Sequence, residues 1–209
     1  MIERLLPPGV AWAETFTDED CALFPAEEAA IAQAVEKRRR EFVTGRWCAR
    51  QALAGLGRPA SPIVPGERGA PGWPDDVVGA ITHCPGYRAA AVAHSSGFAS
   101  VGIDAEQHSP LPEGVLDLVS LPSERSWLSA APPGVHWDRL LFSAKESVYK
   151  AWFPLARRWL GFEEASLTVS PDGTFRARIL VPGPVTDFSG RWLVDRDLVL
   201  TAITMPAAP

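Results

Sequence analysis

The stretch Val101-Gly102-Ile103-Asp104-Ala105-Glu106 alternates in side-chain character at every step. In an extended chain successive side chains point to opposite faces, so Val101, Ile103 and Ala105 share one face while Asp104 and Glu106 share the other. Two like charges side by side on a strand face repel unless something positive lies between them, and a hard divalent cation with oxygen ligands is the natural occupant. On this segment alone, a strand with a solvated acidic face explains the pattern equally well.

Working outward toward the N-terminus, Val77 to Thr82 and Arg88 to His94 read as further strands. Ser95-Ser96-Gly97 reads as a hairpin turn joining Arg88–His94 to Phe98–Glu106. Pro59 to Pro74 is dense in Pro and Gly and reads as loop. From Glu27 to about Gly55, Ile31, Val35, Phe42, Ala49 and Leu53 recur at helical intervals on one stripe, with Thr44-Gly45 as the place for a break into two helices. Residues 1 to 25 form an irregular or short-strand lead-in. On the other side, a second helical region runs from Trp137 to Trp159, interrupted near Pro154, and Leu167–Leu180 and Arg191–Thr204 are β-like. The order helix, strands, helix, strands predicts an α+β fold without a long linker between independent domains. It also hints at an internal duplication, each half being a basic-edged helix followed by a small antiparallel sheet.

In Leu140 to Ala151, the residues Leu140, Ala144, Val148 and Ala151 make the buried stripe, and Glu146 and Lys150 stand at i, i+4 on the opposite side. Taken alone, that pair is a surface salt bridge worth a few tenths of a kcal/mol.

Composition narrows the class. A chain of 209 residues, 46% hydrophobic and 22% charged, is long enough for one large domain or two small packed ones, and disordered and collagen-like classes are excluded. No run approaches the roughly 18 apolar residues that a membrane span needs. Glu3, Glu14 and Asp18 stand where a signal peptide would be basic and then apolar, so a cytoplasmic protein with no membrane partner is expected. Cys21, Cys48 and Cys84 are odd in number and widely spaced, which argues against a disulfide framework or a zinc site and for reduced core thiols. The net charge of −5 argues against a nucleic-acid partner, although the run Lys37 to Arg40, followed by Arg46 and Arg50, leaves room for a local anion site.

Gly102-Ile103-Asp104-Ala105-Glu106, followed about forty residues later by Phe142-Ser143-Ala144-Lys145-Glu146-Ser147-Val148-Tyr149-Lys150, resembles the two-part signature of the phosphopantetheinyl transferases. Either half alone is weak; the pair in this order and separation is specific. Thr82-His83-Cys84 and Gly66-Glu67-Arg68-Gly69-Ala70-Pro71 resemble motifs of the larger single-chain members, particularly the enterobactin-synthase subgroup. The motifs span roughly residues 38 to 150, and the final sixty residues carry none.

The resemblance implies a pseudo-twofold fold in which two similar α+β halves share one active site. Residues 1–100 would carry the nucleotide-binding helix and a small sheet, and 101–209 the metal and catalytic motifs. It implies that Asp104, Glu106 and Glu146 coordinate magnesium. Arg38, Arg46, Arg68 and His83 match positions that hold the phosphates of coenzyme A, with Thr82 nearby, while Lys145 and Lys150 match those that meet the pyrophosphate and pantetheine side. Ala105 stands where many relatives have a larger residue, on the side away from the metal.

The implied reaction moves the phosphopantetheine arm of coenzyme A onto a serine of an apo acyl carrier protein or peptidyl carrier protein, releasing 3′,5′-ADP. Glu146 is the expected general base, acting directly or through a water, and Lys150 the stabiliser of the leaving phosphate. The partner is then a small acidic helical carrier of fatty-acid, polyketide or nonribosomal peptide synthesis, and the single-chain size points to the secondary-metabolism type. A functional monomer follows if both halves lie in one chain. Two rivals share the residues: a carboxylate-metal phosphohydrolase or nuclease, and a degenerate module that holds coenzyme A without turnover. The intact set Asp104, Glu106, Glu146, Lys145 and Lys150 argues against decay. Arg39, Arg40 and Arg50 read as a solvated basic face, His94, His108 and His136 stay unassigned, and the eight tryptophans read as packing.

Overall fold

The computed structural model describes residues 1–208. A short 3-10 turn over Ile2–Leu5 leads into β1 (Val10–Thr15). Helix α1 (Pro25–Ala30) opens on proline, whose fixed φ suits a first helical turn, and α2 (Glu36–Gly55) follows after a turn. The break in the first helical region therefore falls at residues 31–35 and not at Thr44-Gly45. Val35, expected on the buried stripe, caps α2 at 73% exposure. Thr44 and Gly45 continue the helix because each has a tertiary role. The Thr44 hydroxyl accepts from Glu19 N (3.1 Å). Gly45 lets Ile81 approach so closely that a Cβ would lie 3.3 Å from its side chain.

Next come β2 (Val77–Cys84), β3 (Tyr87–His94) and β4 (Phe98–Gln107). Two short helices that the sequence reading missed follow, α3 (Val115–Val119) and α4 (Pro122–Leu128), and then α5 (Trp137–Ala156). The chain continues through β5 (Ala165–Ser170), β6 (Thr174–Ile179), β7 (Asp187–Asp195) and β8 (Leu198–Pro206). The two β-like C-terminal stretches are thus two hairpins. Their turns are at Asp172-Gly173 and at Arg196-Asp197, where φ is positive at Gly173, Arg196 and Asp197.

Among the described residues the strands form two antiparallel sheets, ordered β1-β3-β2 and β4-β8-β7-β6-β5. The expected hairpin between β3 and β4 does not exist. β3 is buried along nearly its whole length and both its edges are taken, by β1 and by β2, the latter through a turn at Pro85-Gly86. With no free edge beside β3, β4 enters the other sheet and pairs with β8, Asp104 opposite Thr201.

The α+β reading holds. Each half runs strand, 20-residue helix, strands, with α2 laid on the first sheet and α5 on the second. Cys48, Ala49, Ala52 and Leu53 of α2 meet Ala90 and Val92, and Leu140, Ala144, Val148 and Ala151 of α5 meet Leu167, Phe175, Val199 and Ile203. A further apolar cluster joins the sheets: Val101, Ile103 and Ala105 pack with Ala80, Tyr87, Ala89, Ala91 and Leu200. The opposite face of β4 meets α5 backbone to backbone. A Cβ on Gly102 would lie 2.1 Å from Ser147 O and 2.8 Å from Ala151 N, so only glycine permits this approach. Cys48 and Cys84 are buried free thiols and Cys21 is a half-buried one. No helix among the described residues is long and apolar enough to cross a membrane.

Candidate active site

A cleft of about 630 Å³ has walls from both halves: α2, the 66–74 loop and the end of β2 on one side, α5 on the other. Close contact of β4 with α5 sets the charged residues beside it. Asp104 is 5% exposed. Its Oδ1 accepts from Lys150 Nζ at 2.8 Å and from the Thr82 hydroxyl at 3.2 Å, whereas Oδ2 is buried with no hydrogen-bond partner. Lys150 Nζ also donates to Ile103 O at 3.0 Å. Glu106 Oε2 accepts from Arg139 at 3.0 Å, and the same guanidinium reaches Ser109 O and Pro110 O.

The positive charge that the two strand carboxylates require comes, in this structure, from Lys150 and Arg139 of α5. The Glu146–Lys150 pair suggested by the i, i+4 spacing is not made, because Asp104 takes the ammonium. Glu146 lines the cleft with neither an ion pair nor a side-chain hydrogen bond among the described residues. Burial raises its pKa, Lys150 opposes the shift, and the charge of Asp104 adds to it. Glu106 is raised in the same way by burial and then by Asp104, against Arg139.

Would this set suit a metal? The donors are all carboxylate oxygens, and a buried Asp104 Oδ2 without a partner is an acceptor waiting for a cation, so the chemistry fits a hard ion such as magnesium. Among the described residues no three His, Cys, Asp or Glu side chains are drawn together tightly enough to enclose one as they stand. Asp104 and Glu106 are turned toward Lys150 and Arg139 instead.

The opposing wall is cationic. Arg38 lies 3.1 Å from His83 Nε2 and 3.7 Å from Glu41 Oε2. Arg46 is 6% exposed, donates from Nε to Ile63 O at 2.8 Å and lies over the Phe42 ring. Burial brings its pKa down to about 10, which leaves it charged at neutral pH. Burial also lowers the pKa of His83, with Glu41 opposing. Arg68 lines the cleft from the Pro-rich loop, its guanidinium 5.3 Å over the Trp159 ring.

Four expected residues do not line this cleft: Asp104 and Glu106, turned to Lys150 and Arg139, and Thr82 and Lys145. The Thr82 hydroxyl, buried between β2 and β4, serves Asp104 and the backbone N–H of Ala105. Lys145 is drawn the other way, into a buried pair with Glu124 at 2.8 Å and a bond to Phe162 O, at a neighbouring cavity of about 240 Å³ that also touches Glu146 and Tyr149. The sequence reading gave no role to Arg139, Glu41 and Arg157. Only Arg139 had a signal, standing two helical turns before Glu146.

Two family models match the chain: the 4′-phosphopantetheinyl transferase N-terminal domain over residues 26–93 and the 4′-phosphopantetheinyl transferase superfamily over residues 100–203. The 4′-phosphopantetheinyl transferase Npt of Nocardia iowensis is 56% identical over 97% of this chain and 99% of its own length. PptT of Mycobacterium tuberculosis, a 4′-phosphopantetheinyl transferase by name, is 49% identical over 98% of each chain. Enterobactin synthase component D of Salmonella typhi is 34% identical over 75% of this chain and 65% of its own.

Proposed function

This chain belongs to the 4′-phosphopantetheinyl transferase superfamily, and we propose that its cleft transfers the phosphopantetheine arm of coenzyme A to a serine of an apo acyl or peptidyl carrier protein, releasing 3′,5′-ADP. The observation that carries the mechanism is Glu146, a half-buried carboxylate that lines the cleft with no ion-pair or hydrogen-bond partner among the described residues, one helical turn before Lys150, its pKa raised by desolvation. A raised pKa suits a base that must take a proton near neutral pH.

The serine Oγ attacks the phosphorus that bears the pantetheine arm, and its proton passes to a Glu146 oxygen. The bond from that phosphorus to the bridging oxygen breaks, leaving the electron pair and negative charge on the terminal phosphate of 3′,5′-ADP. Lys150, on the same wall, neutralises that charge. Asp104, Glu106 and Glu146 would hold magnesium, which when bound supplies charge neutralisation at the pyrophosphate. Arg38, Arg46, Arg68 and His83 orient the nucleotide phosphates from the facing wall, and a cleft whose walls come from one chain supports a functional monomer.

Incubation with coenzyme A, magnesium and an apo carrier protein tests the reading, with the carrier followed by mass. A carrier heavier by the phosphopantetheine arm supports it. Hydrolysis of coenzyme A with an unchanged carrier would point to a phosphohydrolase, and binding of coenzyme A without any reaction to a non-catalytic module; either outcome overturns it.

A further inference from the structure

Helix α5 ends on an unusual residue. Arg157, its C-cap, holds φ 49° and ψ 31°, and its N–H bonds back to Phe153 O at 2.9 Å. This left-handed corner is where helices ordinarily place glycine, because a Cβ is disfavoured there. Arginine at this corner carries a backbone strain that glycine would not. Its side chain has no local use: Arg158 pairs with Glu164 at 2.9 Å, but Arg157 has neither an ion pair nor a side-chain hydrogen bond among the described residues. It lines the cleft.

A second cation lines the same cleft from the other half. Arg68 also has a left-handed backbone, φ 55°, and its guanidinium lies over Trp159, two residues beyond Arg157. Trp159 is in turn held against Tyr149 at 4.8 Å between ring centroids. Neither arginine has a carboxylate partner among the described residues, so each leaves its charge available to an anion in the cleft. The Arg38–His83 contact is made by other elements of the cleft, α2 and β2.

We propose that Arg157, in the same cleft as Arg68, forms with it a second anion-binding pole that takes a phosphate group of coenzyme A. The proposal rests on the transferase reading above and adds a binding residue to it. Coenzyme A carries two separated phosphate features, the 5′-pyrophosphate and the 3′-phosphate, and a cleft with two cationic poles offers one to each.

The test is Arg157→Gly, which removes the charge and relieves the backbone together. Calorimetric titration of the full chain with coenzyme A and with dephospho-coenzyme A is read beside thermal unfolding. The melting temperature should rise by about 2 °C, while affinity for coenzyme A falls by about three- to tenfold, the range for a charge-assisted contact at an exposed rim. A loss confined to coenzyme A assigns the pole to the 3′-phosphate, and an equal loss on both ligands assigns it to the pyrophosphate. Arg157→Lys, which keeps both charge and strain, should recover most of the affinity. Unchanged affinity in Arg157→Gly for both ligands overturns the proposal, as does a change seen only in the KM for the carrier protein. Wild-type protein that binds no coenzyme A overturns the functional reading and this proposal with it.

Discussion

Lys150 Nζ sits 2.8 Å from Asp104 Oδ1, while Asp104 Oδ2, on the same carboxylate, is buried with no partner. One oxygen of Asp104 is satisfied from α5 and the other has no partner, so the helix and strand are coupled by charge as well as by packing. Removing the carboxylate leaves Lys150, 25% exposed, facing Ile103 O and Thr82 without a counter-charge. Asp104→Ala should therefore lose activity and also cost about 1–3 kcal/mol of stability, against a smaller cost for Asp104→Asn, which keeps an acceptor. Urea unfolding of the two variants measures the difference; equal stabilities would show that the pair contributes nothing.

Glu146→Gln separates chemistry from stability. A carboxyl whose folded pKa is raised binds its proton more tightly folded than unfolded, so its stabilising contribution is present at low pH and is lost as pH rises from the unfolded value through the folded one. At neutral pH the half-buried charge of Glu146 is a net burden on the folded chain. Glu146→Gln should melt higher than wild type at pH 7, with the gap closing toward pH 4, while transfer falls by about a hundredfold or more. A variant less stable than wild type at pH 7 would contradict the burial argument.

Gly102→Ala places a methyl against the backbone of α5, 2.1 Å from Ser147 O. Neither strand nor helix backbone has room to yield without moving Glu146 away from Asp104. The expected cost is about 3 kcal/mol, with loss of activity even at temperatures where the variant stays folded. Unfolding curves paired with turnover at low temperature check both parts.

Partial desolvation lowers the pKa of His83, with Glu41 opposing the shift. A phosphate bound beside it favours the protonated ring, so coenzyme A affinity should rise as pH falls from 7.5 to 6, with proton uptake measurable by titration in buffers of different ionisation enthalpy. His83→Ala should abolish the uptake and weaken coenzyme A more than dephospho-coenzyme A. Equal weakening of the two ligands would leave His83 as a support for the β2 end.

Much of this was legible in the sequence, for physical reasons. The alternation of Val101–Glu106 and the stripe from Leu140 to Ala151 are local patterns, and α5 and β4 follow them residue by residue; each of the four stripe residues has no exposed surface. What local patterns could not show is who partners whom. The i, i+4 rule paired Lys150 with Glu146, but a carboxylate 46 residues away won it. Arg139 reaches Glu106 across 33 residues, and Lys145 turns to Glu124 in a short helix too brief to leave a periodic signal. The supposed β3–β4 hairpin failed for the same reason: a three-residue Ser-Ser-Gly link permits one, and only the occupied edges of β3 forbid it.

The pairing of β4 with β8 also sets a schedule for synthesis. Asp104 is registered against Thr201, 97 positions later (201 − 104), so β4 has no permanent neighbour on that edge until β8 emerges. At ribosomal speeds of about 5–20 residues per second, that is a wait of roughly 5–20 s. The first sheet and α2 can settle during that interval, but the strand that bears the carboxylates stays an open edge, exposed to other nascent chains. The cleft is thus assembled in one late step, and a ribosome that stalls before β8 releases a chain whose α2 wall is built while the strand bearing Asp104 is still unpaired.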